Sequence, residues 1–500
     1  MKRQNLWMFA AILMLCGMMV SSCSKEDNPG KVEPQPQAAK QVGTYLWYGT
    51  VCAMGDGGAV RLADMYEKAG FKHVVLLVKG DDGEICYFKN NLSNAPLGNT
   101  PKSQNRDVLQ EVINAMHAKN IKVYAWIMVG ADRNYVAAHP DEAMVHFNKT
   151  YVNTDYVTFN DEAYSQYLAN IVREIDQNYD VDGFAADGAR YHGDYFGWGL
   201  TEFQKLTAPL ADGGYGLTLD EYNELVTLLA QQYNYPIAPD ETGRLVYNKE
   251  NPTYQESVPN ALVNAYSAGN KVARAFGKMR EDEVDDICRK MKLLTEKPFF
   301  VASMAECTYI PASATLAYGM TYNQTFIFDV VCPMLYSAEY EADASWVTAN
   351  INYLKNLGYS KIMPSIQAYY PNGATRLMAD IKAVLDAGCL GYLLFRTNTY
   401  DIARAQKKAD GTLEVFYARG TMGDDRNVNI ALNGVTPTTV TMGGKLSGTD
   451  YTIDGQTISF NAGKLAEMAD YGTITIGYTG NNPLVKVTSN DQIVYNVPMD

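Results

Sequence analysis

Between residues 41 and 405 the hydrophobic positions fall into short unbroken runs separated by longer amphipathic stretches. Tyr45 to Val51 reads as a first strand, followed by a helix with Leu62, Met65, Tyr66 and Ala69 on one face and Gly70 as its stop. His73–Lys79, Val123–Val129 and Val181–Asp187 repeat the apolar pattern. The stripes Val108/Val112/Met116 and Tyr164/Leu168/Ile171/Ile175 predict the helices between them. After a long insertion come a helical stripe (Val284, Ile287, Cys288, Met291) and a strand at Phe299–Ala305. Phe326–Tyr336, Ile362–Tyr369 and Cys389–Phe395 follow as three more strands. The last helices are marked by Val347/Ile351/Leu354 and Leu377/Ile381/Val384. Strands apolar on both faces belong to parallel sheets. Eight strand units, each followed by a helix or helical insertion, predict an α/β fold, a (β/α)8 TIM barrel over 41–405, in preference to an open sheet. The insertion at 199–259 is rich in tyrosine and follows strand four, on the face where barrel active sites lie. It reads as a lid or substrate-binding wall, or as a packing insertion against the next domain.

Beyond Gly411 the pattern changes to short alternating segments punctuated by Gly, Asn and Asp. This predicts a C-terminal antiparallel β-sandwich over 411–500. The strings Ala431-Leu432-Asn433-Gly434, Gly448 to Ile453 and Gly455-Gln456-Thr457-Ile458 resemble the Ig-like X2 modules attached to glycan-degrading enzymes. That resemblance implies a spacer or a polysaccharide-binding module, and the lack of an exposed tryptophan platform favours the spacer.

The N-terminus reads as an address. Lys2 and Arg3 precede an apolar run from Leu6 to Val20, too short for a spanning helix, and small residues lead to Cys23. Val20-Ser21-Ser22-Cys23 resembles a bacterial lipobox, and Ser24-Lys25-Glu26-Asp27 resembles the acidic export tags of surface lipoproteins. Residues 1–22 are thus expected to be a lipoprotein signal peptide, Cys23 the lipidation site, and 23–40 a tether. The expected location is the outer membrane, exposed at the cell surface.

Composition narrows the partners. Hydrophobic residues make up 47% and charged residues 20%, which excludes general disorder. With 42 basic and 56 acidic residues the net charge is −14, which disfavours nucleic acid. Tyr outnumbers Phe 36 to 16, an excess that suits polar surfaces and sugar faces. The six cysteines past the signal form no C-x-x-C pair and read as small buried hydrophobes. No metal cluster, H-E-x-x-H, G-x-S-x-G or dinucleotide motif is present, so neither metal nor cofactor is expected.

Barrels of this design carry their chemistry at the carboxyl ends of the strands. In strand four, alternation places Gly183, Ala185 and Asp187 on the interior face and Phe184 and Ala186 outside. Asp187 then stands at the top of the barrel, with Arg190 three residues on to hold its carboxylate. The competing reading is an Asp–Arg pair that ties the loop. Glycoside hydrolysis needs a second carboxyl group to protonate the leaving oxygen. Glu306, among Met304, Ala305 and Cys307, is the first choice because an apolar setting raises its pKa; Asp132, Asp82 and Glu84 are rivals, and Asp329 reads as structural. The expected substrate-binding set is Trp47, Lys79, Asp82, Trp126, Asp132, Arg190, Tyr191, His192, Tyr336, Gln367, Tyr369 and Arg396, the aromatic faces for stacking and the polar groups for hydroxyls or anions.

Tyr179-Asp180-Val181-Asp182-Gly183-Phe184 through Asp187, Arg190 and Tyr191 resembles the glycosyl-hydrolase-like family ten. Lys79 to Gly83, Val123 to Trp126 and Val331 to Tyr336 are similar as well. The resemblance spans most of 43–400 and implies a TIM barrel acting on poly- or oligosaccharides. The insertion after strand four departs from the family pattern, and Glu306 matches no family position. Three functions follow as alternatives: a surface-anchored glycoside hydrolase, a non-catalytic glycan-binding lipoprotein, and a scaffold in an outer-membrane glycan-uptake complex.

Overall fold

The computed structural model describes residues 41–88, 106–148, 155–250, 257–321, 327–369, 373–396, 400–419, 427–442, 448–460, 471–489 and 493–497. Cys23 and the signal and tether segments lie outside these residues. Eight parallel strands close a barrel: β1 (Gln41–Trp47), β2 (His73–Lys79), β3 (Lys122–Met128), β4 (Gly183–Asp187), β7 (Phe299–Ser303), β8 (Val330–Leu335), β9 (Ser365–Gln367) and β10 (Gly391–Phe395). A small antiparallel hairpin, β5 (Ile237–Pro239) with β6 (Leu245–Tyr247), stands apart from it. Each barrel strand bonds the next in chain order, and β10 closes on β1 with Gln41 opposite Gly391.

Side-chain size shapes the interior. A Cβ at Gly183 would meet the Tyr124 ring at 2.9 Å, and Tyr124 itself stacks on Phe300 with centroids 4.2 Å apart. Strand four therefore needs its small inward residues because neighbouring strands fill the barrel with rings. Phe184 points outward against Phe299, as alternation predicts. The first strand differs from the expectation. It ends at Trp47, and Tyr48–Ala53 is a short helix with Val51 buried. The strand also starts earlier than expected, at Gln41, and takes in Gly43. A Cβ there would strike His73 and Leu393, so the glycine permits close strand approach.

Seven described helices cover the outside of the barrel: Gly58–Ala69, Val108–His117, Glu162–Asn178, Lys271–Lys292, Pro311–Tyr318, Ala344–Asn356 and Gly373–Asp386. After β10 comes a strand where an eighth helix was expected. β11 (Tyr400–Lys407) opens a seven-stranded sheet with β12 (Leu413–Ala418), β13 (Val428–Thr441), β14 (Tyr451–Asp454), β15 (Thr457–Phe460), β16 (Tyr471–Ser489) and β17 (Ile493–Val497). The order is β14-β15-β13-β16-β12-β11-β17. The pairing is antiparallel apart from β11 with β17. Register shifts near Gly434 and Thr438 interrupt the long β13–β16 pair, and the sheet carries its own apolar core around Ile430, Leu432, Ile474 and Val487.

This sheet takes the place of the missing helix. The outward faces of β1 and β10 meet it directly: Thr44 Oγ1 lies 2.7 Å from the Tyr400 hydroxyl, and the Tyr392 and Tyr495 hydroxyls are 2.6 Å apart. Tyr495 also packs on Phe71, and Lys68 lies over the Phe416 ring. Tyr400, Ile402, Phe416, Ile493 and Tyr495 are buried in one continuous core with the barrel strands.

The insertion is a folded unit. Helices Leu200–Thr207, Leu219–Tyr233 and Ala261–Ser267 enclose a core of Trp198, Leu217, Tyr222, Leu225, Leu229 and Leu262. That core is completed by Val272, Phe276 and Met279 of helix Lys271–Lys292 and by Leu316, so the insertion packs on the barrel's own helices. The six cysteines among the described residues are free; four are buried and Cys52 and Cys389 half-buried.

Candidate active site

Asp187 ends β4, opposite Met128 of β3. Its Oδ1 accepts from the Gly188 amide at 2.6 Å and from Arg190 Nη1 at 3.1 Å. Gly188 has φ +64°, a conformation that favours glycine, and this turns the chain sharply enough for the amide to reach back to the carboxylate. Two donors on one oxygen fix the carboxylate's orientation, while no described side chain or amide engages Oδ2.

Glu306 opens the short helix Glu306–Tyr309 just past β7. Tyr340 donates to its Oε2 at 2.8 Å, and the Tyr318 hydroxyl is close enough to be felt at the carboxyl group. Burial raises the Glu306 pKa above the ordinary carboxyl range, partly offset by its hydrogen bonds and by the Arg190 charge. One guanidinium therefore acts on both carboxyl groups: it binds Asp187 directly and is felt at Glu306.

Rings from other strands crowd the same end of the barrel. Tyr45 lies 5.0 Å from Trp126, Trp47 5.1 Å from Trp126, and Tyr336 is stacked on Phe395 at 5.3 Å. Tyr369 packs on both Tyr336 and Phe395, and Arg396 lies over the Trp47 ring. The Asp187 charge reaches the Tyr45 and Tyr336 hydroxyls, raising the pKa of both alongside the dominant effect of burial. The structure thus brings together Asp187, Arg190, Glu306, Tyr336, Tyr369, Trp47, Trp126 and Arg396. Trp126 and Tyr336 are buried, Trp47 and Tyr369 are half-buried and Arg396 is exposed. His192 lies past Arg190 against Tyr156, with its pKa lowered to about 3 by burial and by Arg190, so it is neutral.

Other expected binding residues are turned to different work. Lys79 and Asp132 are 0% exposed and face each other at 3.1 Å. The Lys79 ammonium also donates to the carbonyls of Met128 and Ala131 and to the Tyr164 hydroxyl, and Asp132 Oδ1 caps helix Arg133–Ala138. A strand-end lysine looks ligand-directed in sequence. Here it satisfies buried carbonyls of the neighbouring loop, and both side chains are closed off from solvent. Asp82 accepts from the Glu84 amide and shapes its own turn; Glu84 accepts from Tyr48. Tyr191 is fully buried with its hydroxyl on Glu283. Gln367 is buried, its Oε1 bonded to the Glu339 amide, and its Nε2 has no partner among the described residues. Asp329 accepts from the Phe299 amide and pairs with Lys292, a structural role.

Three contributors escaped the sequence reading. Tyr318 and Tyr340 lie on separate segments, and no spacing links them to Glu306. The third is Arg280, buried on helix Lys271–Lys292 between the Tyr191 and Phe276 rings, each 4.2 Å away. Its Nη1 donates to the Gly193 and Ala317 carbonyls, and its Nη2 to those of Asp194 and Phe196. With the amide bonds Tyr191 to Tyr318 and Gly193 to Ala317, this staples the loop of Asp187 and Arg190 to the helix bearing Tyr318.

Residues 61–207 match the family model Glycosyl hydrolase-like 10. The matched span holds β2, β3, β4, Asp187 and Arg190, and stops before Glu306. Among solved structures, the chain is similar to the PgaB (BpsB) glycoside hydrolase domain from Bordetella bronchiseptica. Identity is 12%, the TM-score 0.47, and the match covers 71% of this chain and 93% of that one. The catalytic domain of beta-amylase from Paenibacillus polymyxa is similar at 10% identity and TM-score 0.47, covering 71% and 92%. No curated protein matches the chain.

Proposed function

We propose that this protein is a glycoside hydrolase in which Asp187 acts as nucleophile or base and Glu306 as general acid. The observation that carries this reading is the pair of carboxyl groups served by one guanidinium at the carboxyl end of the barrel. One is oriented through a single oxygen; the other is buried, hydroxyl-bonded and raised in pKa. A raised pKa keeps a carboxylic acid protonated for donation to a leaving oxygen, while an anchored carboxylate with a free oxygen suits attack or water activation. Two strand ends supply the two carboxyl groups, and the rings of Trp47, Tyr336 and Tyr369 offer apolar faces for a sugar. The family match over β2–β4 supports the same reading. The lipobox-like Val20–Cys23 and the acidic segment after it support delivery to the outer membrane as a lipoprotein facing glycans outside the cell, with the C-terminal sheet as an Ig-like spacer. The test is release of reducing ends from a polysaccharide panel. Wild type is expected to cleave at least one polymer, and Asp187→Asn to cleave none while melting as wild type does. Undiminished cleavage by Asp187→Asn removes Asp187 from the mechanism.

A further inference from the structure

Glu306 and Tyr340 come from different strand ends and meet across a built seam. Tyr340 lies in the loop between β8 and helix Ala344–Asn356, and that loop is tied down at several points. The Ala342 amide donates to the Ser337 carbonyl at 2.8 Å, the Ser337 hydroxyl to Asp380 of helix Gly373–Asp386 at 2.5 Å, and the Tyr369 hydroxyl to the Glu339 carboxylate at 2.6 Å. The Tyr340 ring stacks on Trp346 with centroids 5.0 Å apart. Tyr309, three residues past Glu306, meets the same Trp346 ring at 6.2 Å, and Thr308 donates to Asn350. The short helix of Glu306 and the loop of Tyr340 are therefore both docked on helix Ala344–Asn356, and this docking sets the 2.8 Å bond from the Tyr340 hydroxyl to Glu306 Oε2. A hydroxyl donating to a carboxyl oxygen holds the carboxylate more strongly than the neutral acid, because the bond is then charge-assisted.

We propose that Tyr340 is a positioning residue for proton donation: its hydroxyl aims the Glu306 carboxyl group and stabilises the carboxylate left when the proton passes to the glycosidic oxygen. This rests on the hydrolase reading. In the step it serves, the C–O bond breaks with its electron pair going to oxygen, the proton moves from Glu306 to that oxygen, and the negative charge appears on the group already bonded to Tyr340. The bond strengthens as the proton leaves, so it favours the transition state over the ground state. The other groups that face Glu306 are Arg190 from the loop after β4, Tyr318 of helix Pro311–Tyr318, and Cys307 and Tyr309 of its own helix. Burial pushes the Tyr309, Tyr318 and Tyr340 hydroxyls and the Cys307 thiol upward, and Arg190 stays charged, so Glu306 is the member of this set that titrates between about pH 4 and 9.

The experiment compares the full chain with Tyr340→Phe, which keeps the ring on Trp346. Carboxyl carbon NMR of protein labelled with carbon-13 glutamate gives the Glu306 titration midpoint without turnover, its signal identified by its loss in Glu306→Gln. The pH–rate profile is measured on a polysaccharide that wild type cleaves and on the dinitrophenyl glycoside of the same sugar, whose leaving group departs without a proton. In Tyr340→Phe the midpoint should rise by about one pH unit. On the polysaccharide kcat at low pH should fall about threefold with KM unchanged, because the acid is weaker, and the alkaline limb should move up by the same unit. The two profiles then cross, and kcat/KM on the dinitrophenyl glycoside stays at the wild-type value. An unmoved midpoint overturns the proposal whether or not wild type cleaves any polymer. Equal losses on both substrates, with no displaced limb, reduce Tyr340 to a structural part and overturn it as well, leaving the hydrolase reading intact. A raised midpoint with no polymer cleaved by wild type keeps the coupling of Tyr340 to Glu306 and overturns the hydrolase reading.

Discussion

Arg280→Met removes a guanidinium that is wholly buried and far from solvent. Of the four carbonyls it serves, three have a second donor: Gly193 from the Phe196 amide, Ala317 from the Gly193 amide, and Asp194 from the Trp198 indole. The Phe196 carbonyl has Arg280 alone among the described contacts. Stranding one buried acceptor that was bonded to a charge costs about 1.5–3 kcal/mol. Losing the cation between two rings costs about 1–2 kcal/mol more. The offset is relief of desolvation, which already lowers the Arg280 pKa to about 10. Against that, Glu283 and Asp194 lose their nearby positive charge. The net expectation is a loss of about 3 kcal/mol in urea unfolding. Arg280→Lys should recover less than half, because a compact ammonium cannot fork to four carbonyls. The loop it pins carries Asp187 and Arg190, so kcat on any cleaved glycan should fall at least about tenfold with KM little changed, as expected when positioning rather than binding is lost. If Arg280→Met unfolds within about 0.5 kcal/mol of wild type and turns over at the wild-type rate, the staple is not what holds the loop.

Three further outcomes follow from the same geometry. Glu283 is buried with its pKa raised to about 8, chiefly by desolvation. A raised carboxyl pKa gives stability that is full below the unfolded value near 4.5 and lost as pH rises to about 8. Wild type should therefore lose on the order of 2–5 kcal/mol more than Glu283→Gln between pH 5 and 8, and parallel pH–stability curves would contradict this. Lys79→Met strands Asp132 in the interior and should cost about 3–5 kcal/mol. Adding Asp132→Asn should restore part of it, and a double variant as weak as the single one would rule out the ion pair as the cause. Tyr495→Ala opens a cavity between sheet and barrel and should cost about 3–5 kcal/mol. Barrel and sheet should still melt in one calorimetric transition; two separate transitions in wild type would show that the sheet is an independent appendage.

The barrel was legible because its signals are local. Eight apolar runs and the Gly183-x-Ala185-x-Asp187 alternation depend only on period two and on side-chain size, and both carry through to the structure. Glu306 was legible as a strand-end acid in an apolar string. What sequence hides is pairing across the fold. Lys79 at a strand end looks like a ligand contact until Asp132 and the Met128 and Ala131 carbonyls are seen to take its ammonium. Tyr191, beside Arg190 in the string, turns into the core toward Glu283, while Arg190 turns toward Asp187. The replacement of an eighth helix by a sheet is a contact between β1, β10 and residues past Tyr400, which no periodicity reports.

The roles of the two carboxyl groups can be separated by the proton demand of the leaving group. Once the cleaved sugar is known from the panel, wild type, Glu306→Gln and Asp187→Asn are assayed from pH 4 to 9, on the natural glycan and on a dinitrophenyl glycoside whose leaving group needs no proton. Wild-type activity on the glycan should fall as pH rises through the raised Glu306 pKa. Glu306→Gln should lose that alkaline limb and nearly all glycan cleavage yet still release dinitrophenol, whereas Asp187→Asn fails on both substrates. Equal cleavage of the glycan by wild type and Glu306→Gln, with the same pH profile, would contradict these roles.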